Sequence, residues 1–140
     1  MNPLGGRAVV SGSGISQVGR RLGRSGLALT IEACLRAIAD AGLTPDDIDG
    51  VASYPGAGAG GPGFSGAGST ELHDALGLRT RWHFGAGETA GQLGPVIEAA
   101  LAVASGSVKP RRILVTSDPA FNQCTGFCPA RRALWMHAPR

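Results

Sequence analysis

Between Leu27 and Ala41 the apolar residues Leu27, Ile31, Cys34, Leu35, Ile38 and Ala41 recur every three or four positions, while Glu32, Arg36 and Asp40 share another face at i,i+4 spacing. This period predicts an amphipathic helix, with Ser25 placed to cap its start and Gly42 to close its end. Ahead of it, the short apolar run Ala8 to Ser11 predicts a buried strand, and the following GSGISQVGRRLGRSG reads as loop. Thr44-Pro45-Asp46-Asp47 joins a capping residue, a proline and two acids, which predicts one short helical turn. Gly50 to Tyr54 predicts a second strand stopped by Pro55, and Ser69 is placed to cap a short helix through TELHDALGL. Arg79 to Phe84 predicts a third strand and Arg112 to Ser117 a fourth, buried one.

The segment joining the last two strands differs in kind. Residues 85 to 106, GAGETAGQLGPVIEAALAVASG, are a glycine-rich turn leading into a helix whose only polar side chains from residue 92 to 105 are Gln92, Glu98 and Ser105. A helix lying on the outside of a sheet needs a polar face, so this one is predicted to be nearly fully buried. The order β-α-β-α-β-α-β predicts an α/β fold with a mostly parallel sheet and right-handed crossovers. A single three-layer unit would leave part of that helix bare, so the unit is expected to be incomplete and to need a further layer.

Composition narrows the classes. At 140 residues the chain suits one core, and 43% hydrophobic against 16% charged residues excludes a chain disordered throughout. The formal net charge is +3, but Arg131, Arg132 and Arg140 against Asp118 give +2 within residues 118 to 140, and no basic stripe with interleaved aromatics marks the body. Nucleic acid is therefore not an expected partner. Cys34, Cys124 and Cys128 lack the spacing of a disulfide framework, the opening MNPLGGRAVV lacks the apolar core of a secretion signal, and no run approaches the ~18 apolar residues of a membrane span. A cytoplasmic protein without a membrane span is expected.

The stretch GSGISQVGRRLGRSGLALTIEACLRAIADAGLTPDDIDGV resembles the amino-terminal segment of the thiolase-like superfamily, especially the lipid-transfer-protein and sterol-carrier-type thiolases (acetyl-CoA acetyltransferase-like) of acyl-CoA metabolism. The resemblance is carried by the glycine and Ser/Thr loop after the first strand, the helix ending in DAGL and the DIDGV entering the second strand, and it continues at Ala90 to Gly106 and Ile113 to Ser117. It covers roughly residues 5 to 118 and implies a partial thiolase-like amino-terminal domain. It further implies that the apolar helix belongs to the central layer of a five-layer arrangement made by two similar halves. The implied ligand is a coenzyme A thioester, as substrate and with no covalently bound cofactor. The implied partners are a second copy in a homodimer, a larger thiolase-like subunit, or a small OB-fold protein.

Counting back from Gly106, the position where this superfamily places its nucleophilic cysteine falls on Thr89. A helix N-terminus favours a thiolate there, whereas a threonine hydroxyl gains too little to ionise without a base. The histidine and second cysteine of the thiolase pattern belong to its later half. His73, His83 and His137 do not match that histidine motif, and Cys124 and Cys128 lie too close to the last strand to replace the later cysteine. The resemblance thus implies a truncated thiolase-like or lipid-transfer-type protein of fatty acid or sterol metabolism, without thiolytic turnover of its own. Complete relatives transfer acyl groups, and some that lack the cysteine act as retro-aldolases on steroid side-chain thioesters. The alternatives are a non-catalytic subunit that pairs with a larger thiolase-like protein, and a gene fragment without function.

Each residue also has a plainer reading. Thr89 suits a helix cap and Glu88 an ordinary first-turn acid. Gly12-Ser13-Gly14 lacks the third glycine of a dinucleotide fingerprint, since Gln17 stands there. Cys124-x3-Cys128 with His137 departs from zinc spacing and has no fourth ligand, so no metal is expected. Residues 56 to 68 hold seven glycines and Phe64 as the one large side chain, which reads as a surface loop, the alternatives being a cover for an acyl-CoA or a contact with a second subunit. Cys34 reads as a small core residue. Residues 119 to 140 show neither helical nor strand periodicity and read as a disordered, out-of-frame or unrelated ending, the alternative being a tail that docks through Phe121, Phe127 and Trp135.

Overall fold

The computed structural model describes residues 7–20, 22–54, 67–85, 91–106, 112–117, 127–128 and 132–137. In chain order these form β1 (Val9–Ile15), β2 (Gly19–Arg20), α1 (Gly26–Asp40), a 3-10 turn (Pro45–Asp47), β3 (Gly50–Tyr54), α2 (Ser69–Leu76) and β4 (Trp82–Gly85). A second 3-10 turn (Gly91–Leu93), α3 (Gly94–Ser105), β5 (Arg112–Ser117), β6 (Phe127–Cys128) and β7 (Arg132–His137) complete the order. Five strands make one sheet in the order β1-β7-β5-β3-β4, and β2 and β6 pair separately. β7 is antiparallel to both its neighbours, while β3 is parallel to β4 and to β5, so four of the five strands run the same way. The fold is α/β with a mostly parallel sheet, as the alternation of elements predicts.

Two apolar clusters sandwich that sheet. On one face Ala33, Cys34, Ala37 and Ile38 of α1 and Leu72 of α2 pack with Val51 of β3 and Leu114 of β5. On the other, Ala99 and Val103 of α3 pack with Ala52, Ile113 and Val115, the residues next along the same strands. The period-two pleat thus feeds one core on each side. α1 has the predicted ends: Ser25 Oγ accepts from the Ala28 N–H at 3.1 Å, and Gly42 takes φ +69° as the chain turns away. The DIDGV motif is a joint between layers. Asp47 accepts from Arg112 Nη1 at 2.7 Å, Ile48 is 2% exposed, and a Cβ on Gly50 would stand 3.0 Å from the Trp82 ring.

Four expectations are corrected. The GSG motif is not loop: β1 continues through it to Ile15, with Gly12 and Gly14 buried. A Cβ on Gly14 would lie 2.1 Å from the Ala33 carbonyl oxygen, and one on Gly12 2.6 Å from that of Ala37. Glycine occupies the inward positions because α1 rests directly on the strand backbone, and this removes the apolar alternation by which a strand is recognised. Gly68, not Ser69, is the cap of α2, and its N–H donates to Glu71 Oε2 at 2.8 Å. β4 starts at Trp82 rather than Arg79. Arg132–His137, within the ending that shows no strand period, is a strand inserted between β1 and β5. α1 and α3 both reach β7, and its sequence, Ala133-Leu134-Trp135-Met136, is an apolar run rather than an alternation.

α3 buries Gly94, Pro95, Ala99, Val103 and Ala104 against the sheet. Leu93, Ile97 and Leu101 are 65%, 50% and 41% exposed, so an apolar stripe at i,i+4,i+8 spacing remains on its outer side in this chain.

Candidate functional site

In parallel α/β sheets ligands bind beyond the carboxyl ends of the strands, where the loops gather. β3, β4 and β5 end there together: Ser53 is in register with Gly85 on one side and Thr116 on the other. Ser53 is 0% exposed and Thr116 2%, and both strands have turned polar at this level after the apolar Val51-Ala52 and Leu114-Val115. Ser53 Oγ is buried with no hydrogen-bond partner. An orphaned hydroxyl in a core costs about 1–3 kcal/mol, which singles this position out. Sequence reading missed it, and the one available signal was a serine interrupting an otherwise apolar buried strand.

From this edge the chain passes from Gly85 to Gly91 through residues 86–90, which include Thr89 and Glu88 and lie outside the described residues. The Gly91–Leu93 turn then leads into α3, which has Pro95 in its first turn and Gly106 at φ +68° past its end. The glycine-rich segment 56–68 falls, but for Ala67 and Gly68, outside the described residues, as do Phe121 and Cys124.

The three histidines are not brought together. His73 and His83 line a shallow cleft of about 300 Å³ between α2 and β4, with Ser69, Thr70 and Thr80. His73 Nδ1 lies 3.2 Å from Asp74 Oδ1. His137 stands opposite Val9 and Arg112, at the amino end of β5 and so at the opposite edge from Ser53 and Thr116. Among the described residues no three His, Cys, Asp or Glu side chains converge as a metal set would. Cys128 is in β6, paired with Gly19. Cys34 is fully buried, and loss of water pushes its thiol up to about 12, so it is no nucleophile at neutral pH. Asp49, at the entry to β3, is raised by burial, a shift opposed by Arg112 and Arg81. It lies at the amino end of the sheet with its N–H on the Arg112 carbonyl at 3.1 Å, which is a structural place.

No family model matches the chain. In an alignment 133 positions long that covers 90% of the chain, it is 35% identical to the "Steroid side-chain-cleaving aldolase" of Thermomonospora curvata. Over 51 residues it is 45% identical to the "17-hydroxy-3-oxo-4-pregnene-20-carboxyl-CoA lyase" of Mycobacterium tuberculosis. Among solved structures the "Ltp2-ChsH2(DUF35) aldolase" superposes on 86% of the chain with TM-score 0.66 and 28% identity. The priming β-ketosynthase of the R1128 polyketide pathway superposes on 95% with TM-score 0.69 and 18% identity. The fold is thiolase-like. The chain spans 30% and 13% of the lengths of the two curated relatives, 29% of the aldolase chain and 50% of the β-ketosynthase chain. No helix among the described residues is long and apolar enough to cross a membrane.

Proposed function

We propose that this chain supplies the first α/β unit of a thiolase-like, lipid-transfer-type protein that cleaves a carbon–carbon bond in an acyl-CoA thioester by retro-aldol chemistry. The observation that carries this reading is the 35% identity to a steroid side-chain-cleaving aldolase along 90% of the chain. Thr89 fits it. A thiolase must hold the acyl group on a thiolate, but a retro-aldol step needs no covalent nucleophile. A base takes the proton of the β-hydroxyl, a carbonyl forms there, and the Cα–Cβ bond breaks. Its electron pair passes into the thioester enolate, which is then protonated at Cα. The substrate class is a β-hydroxyacyl-CoA, with a steroid side chain as the acyl group. The base and the enolate's hydrogen-bond donors come from outside the described residues, and the outer stripe of α3 favours an arrangement in which a larger thiolase-like subunit or a second copy covers it.

The test is a chimera in which this chain replaces the matching stretch, 30% of the length, of the Thermomonospora curvata relative. A folded chimera that releases ketone or aldehyde from a steroid β-hydroxyacyl-CoA, and does not thiolyse a 3-ketoacyl-CoA, supports the proposal. Thiolysis without aldol cleavage, or a folded chimera inert towards both, overturns it.

A further inference from the structure

The sheet has two edges, β1 and β4. β1 is the hazardous one: seven residues long, with no charge and no proline, two glycines, and Val10 and Ile15 exposed by 53% and 48%. Long, uncharged edge strands invite pairing with another chain. Two of its backbone groups, and one just beyond its end, are nevertheless occupied, and by side chains of one helix. The Ser13 N–H donates to Asp40 Oδ2 at 2.9 Å, the Ile15 carbonyl accepts from Arg36 Nη1 at 2.7 Å, and the Gln17 N–H donates to Glu32 Oε1 at 3.2 Å. Carboxylates meet the two N–H groups and a guanidinium meets the carbonyl.

The spacing explains why one helix can do this. Four helical residues rise about 6.0 Å, and two strand residues about 6.6 Å. Positions 32, 36 and 40 of α1 therefore keep step with Gln17, just past the end of β1, and with positions 15 and 13 of β1 when helix and strand run in opposite directions. The row is braced along its length, since Glu32 also pairs with Arg36 Nη2 at 2.6 Å and with Arg24. Gly12 and Gly14 let α1 approach closely enough for these side chains to reach over the edge. At β4 no side-chain hydrogen bond to the strand backbone occurs among the described residues.

We propose that the Glu32–Arg36–Asp40 row is an edge guard: it stands in for a further strand along β1 and closes that edge of the sheet to pairing with other chains. Charges at i,i+4,i+8 that look like a solvated helix face thus determine which edge of the sheet remains available for assembly.

The test compares the 140-residue chain with an E32A/R36A/D40A variant by light scattering across a concentration series and by amide hydrogen exchange. The guard predicts that at low concentration the Ser13 and Gln17 amides of the variant exchange about tenfold faster or more, while Val51 and Leu114 keep their protection. It also predicts that the variant gains mass with concentration relative to the parent, and that adding Ser13→Pro, which removes an edge donor, reverses the gain. A folded variant with the parent's mass at every concentration and unchanged Ser13 and Gln17 exchange overturns the proposal, as does a mass gain indifferent to Ser13→Pro. Should the triple variant lose its fold, D40A alone carries the exchange test at Ser13: accelerated exchange there with Gln17 unchanged supports the guard, and no change refutes it.

Discussion

Gly14→Ala is the sharpest challenge to the packing of α1 on β1. The added Cβ would stand 2.1 Å from the Ala33 carbonyl oxygen, 2.5 Å from the Ala37 nitrogen and 3.0 Å from Arg36 Cβ, where ordinary contact begins at 3.4 Å. The two nearest atoms are helix backbone, so no side-chain rotation relieves the clash, and α1 must lift by more than an ångström. Overpacking that side chains can absorb costs about 1–3 kcal/mol, and displacement of a helix places Gly14→Ala at about 3 kcal/mol or above. Against a domain stability of about 5–15 kcal/mol that is a large fraction. Gly42→Ala is the control: its Cβ meets nothing within 4 Å, but φ is +69°, so only the left-handed backbone penalty of about 1–2 kcal/mol applies. Urea denaturation followed by far-UV circular dichroism gives both values at constant m. If Gly14→Ala lies within 1 kcal/mol of the parent, or no further from it than Gly42→Ala, the direct seating of α1 on the strand backbone is refuted.

Ser53→Ala removes a buried hydroxyl that has no partner, so the chain should gain about 1 kcal/mol in the same denaturation assay; a loss of that size would reveal a hydrogen bond there. Cys34, with its thiol pushed up to about 12, should resist iodoacetamide at pH 8 by about a hundredfold relative to the chain in urea, as read by peptide mapping, and equal rates would mean that α1 does not bury it. Glu32 is held below its ordinary 4.5, first by the Arg24 hydrogen bond and also by Arg36 and the Gln17 N–H, in spite of partial desolvation. A carboxylate with a depressed folded value contributes stability above its ordinary value and loses it as pH falls through the folded one. The parent should therefore exceed Glu32→Gln in stability at pH 7 and converge with it below pH 4.5, and a gap that persists in acid would assign the effect to packing. Ile97→Glu with Leu101→Glu should change the isolated chain by less than about 0.5 kcal/mol, because both side chains face outward. In the aldolase chimera the same pair should abolish activity, and full activity would show that nothing covers this face.

How much of each element the sequence disclosed depends on what that element packs against. α1 was legible because one side of it meets a core and the other water, and both its ends carry the expected caps, Ser25 and Gly42. β3 and β5 were legible as apolar runs between turn signals. β1 was half concealed, since a glycine chosen for closeness to Ala33 and Ala37 looks the same in sequence as one chosen for a flexible loop. β7 was concealed for another reason. Its edge neighbour β1 is remote in sequence, and Ala133-Leu134-Trp135-Met136 is an apolar run without the alternation by which a half-buried strand is read. At the candidate site, Ser53 and Thr116 come together only through the register of β3 with β5, a pairing that no local pattern specifies.

The charged face of α1 shows why a correct local reading can still miss a role. Glu32, Arg36 and Asp40 satisfy every criterion for an exposed helix surface, down to the i,i+4 ion pair, and Glu32 and Arg36 do form that pair. Exposed pairs of this kind are worth about 0–1 kcal/mol and would ordinarily be left there. Their significance appears only once the sheet order puts β1 at an edge and the helix antiparallel to it, so that an acid, a base and an acid fall opposite an N–H, a carbonyl and an N–H. Among the described residues β4 is the other edge of the sheet, and the outer stripe of α3 is apolar and exposed. A unit with one edge closed by its own side chains, and with its bare apolar area on a different element, is built to be joined in some directions and not in others.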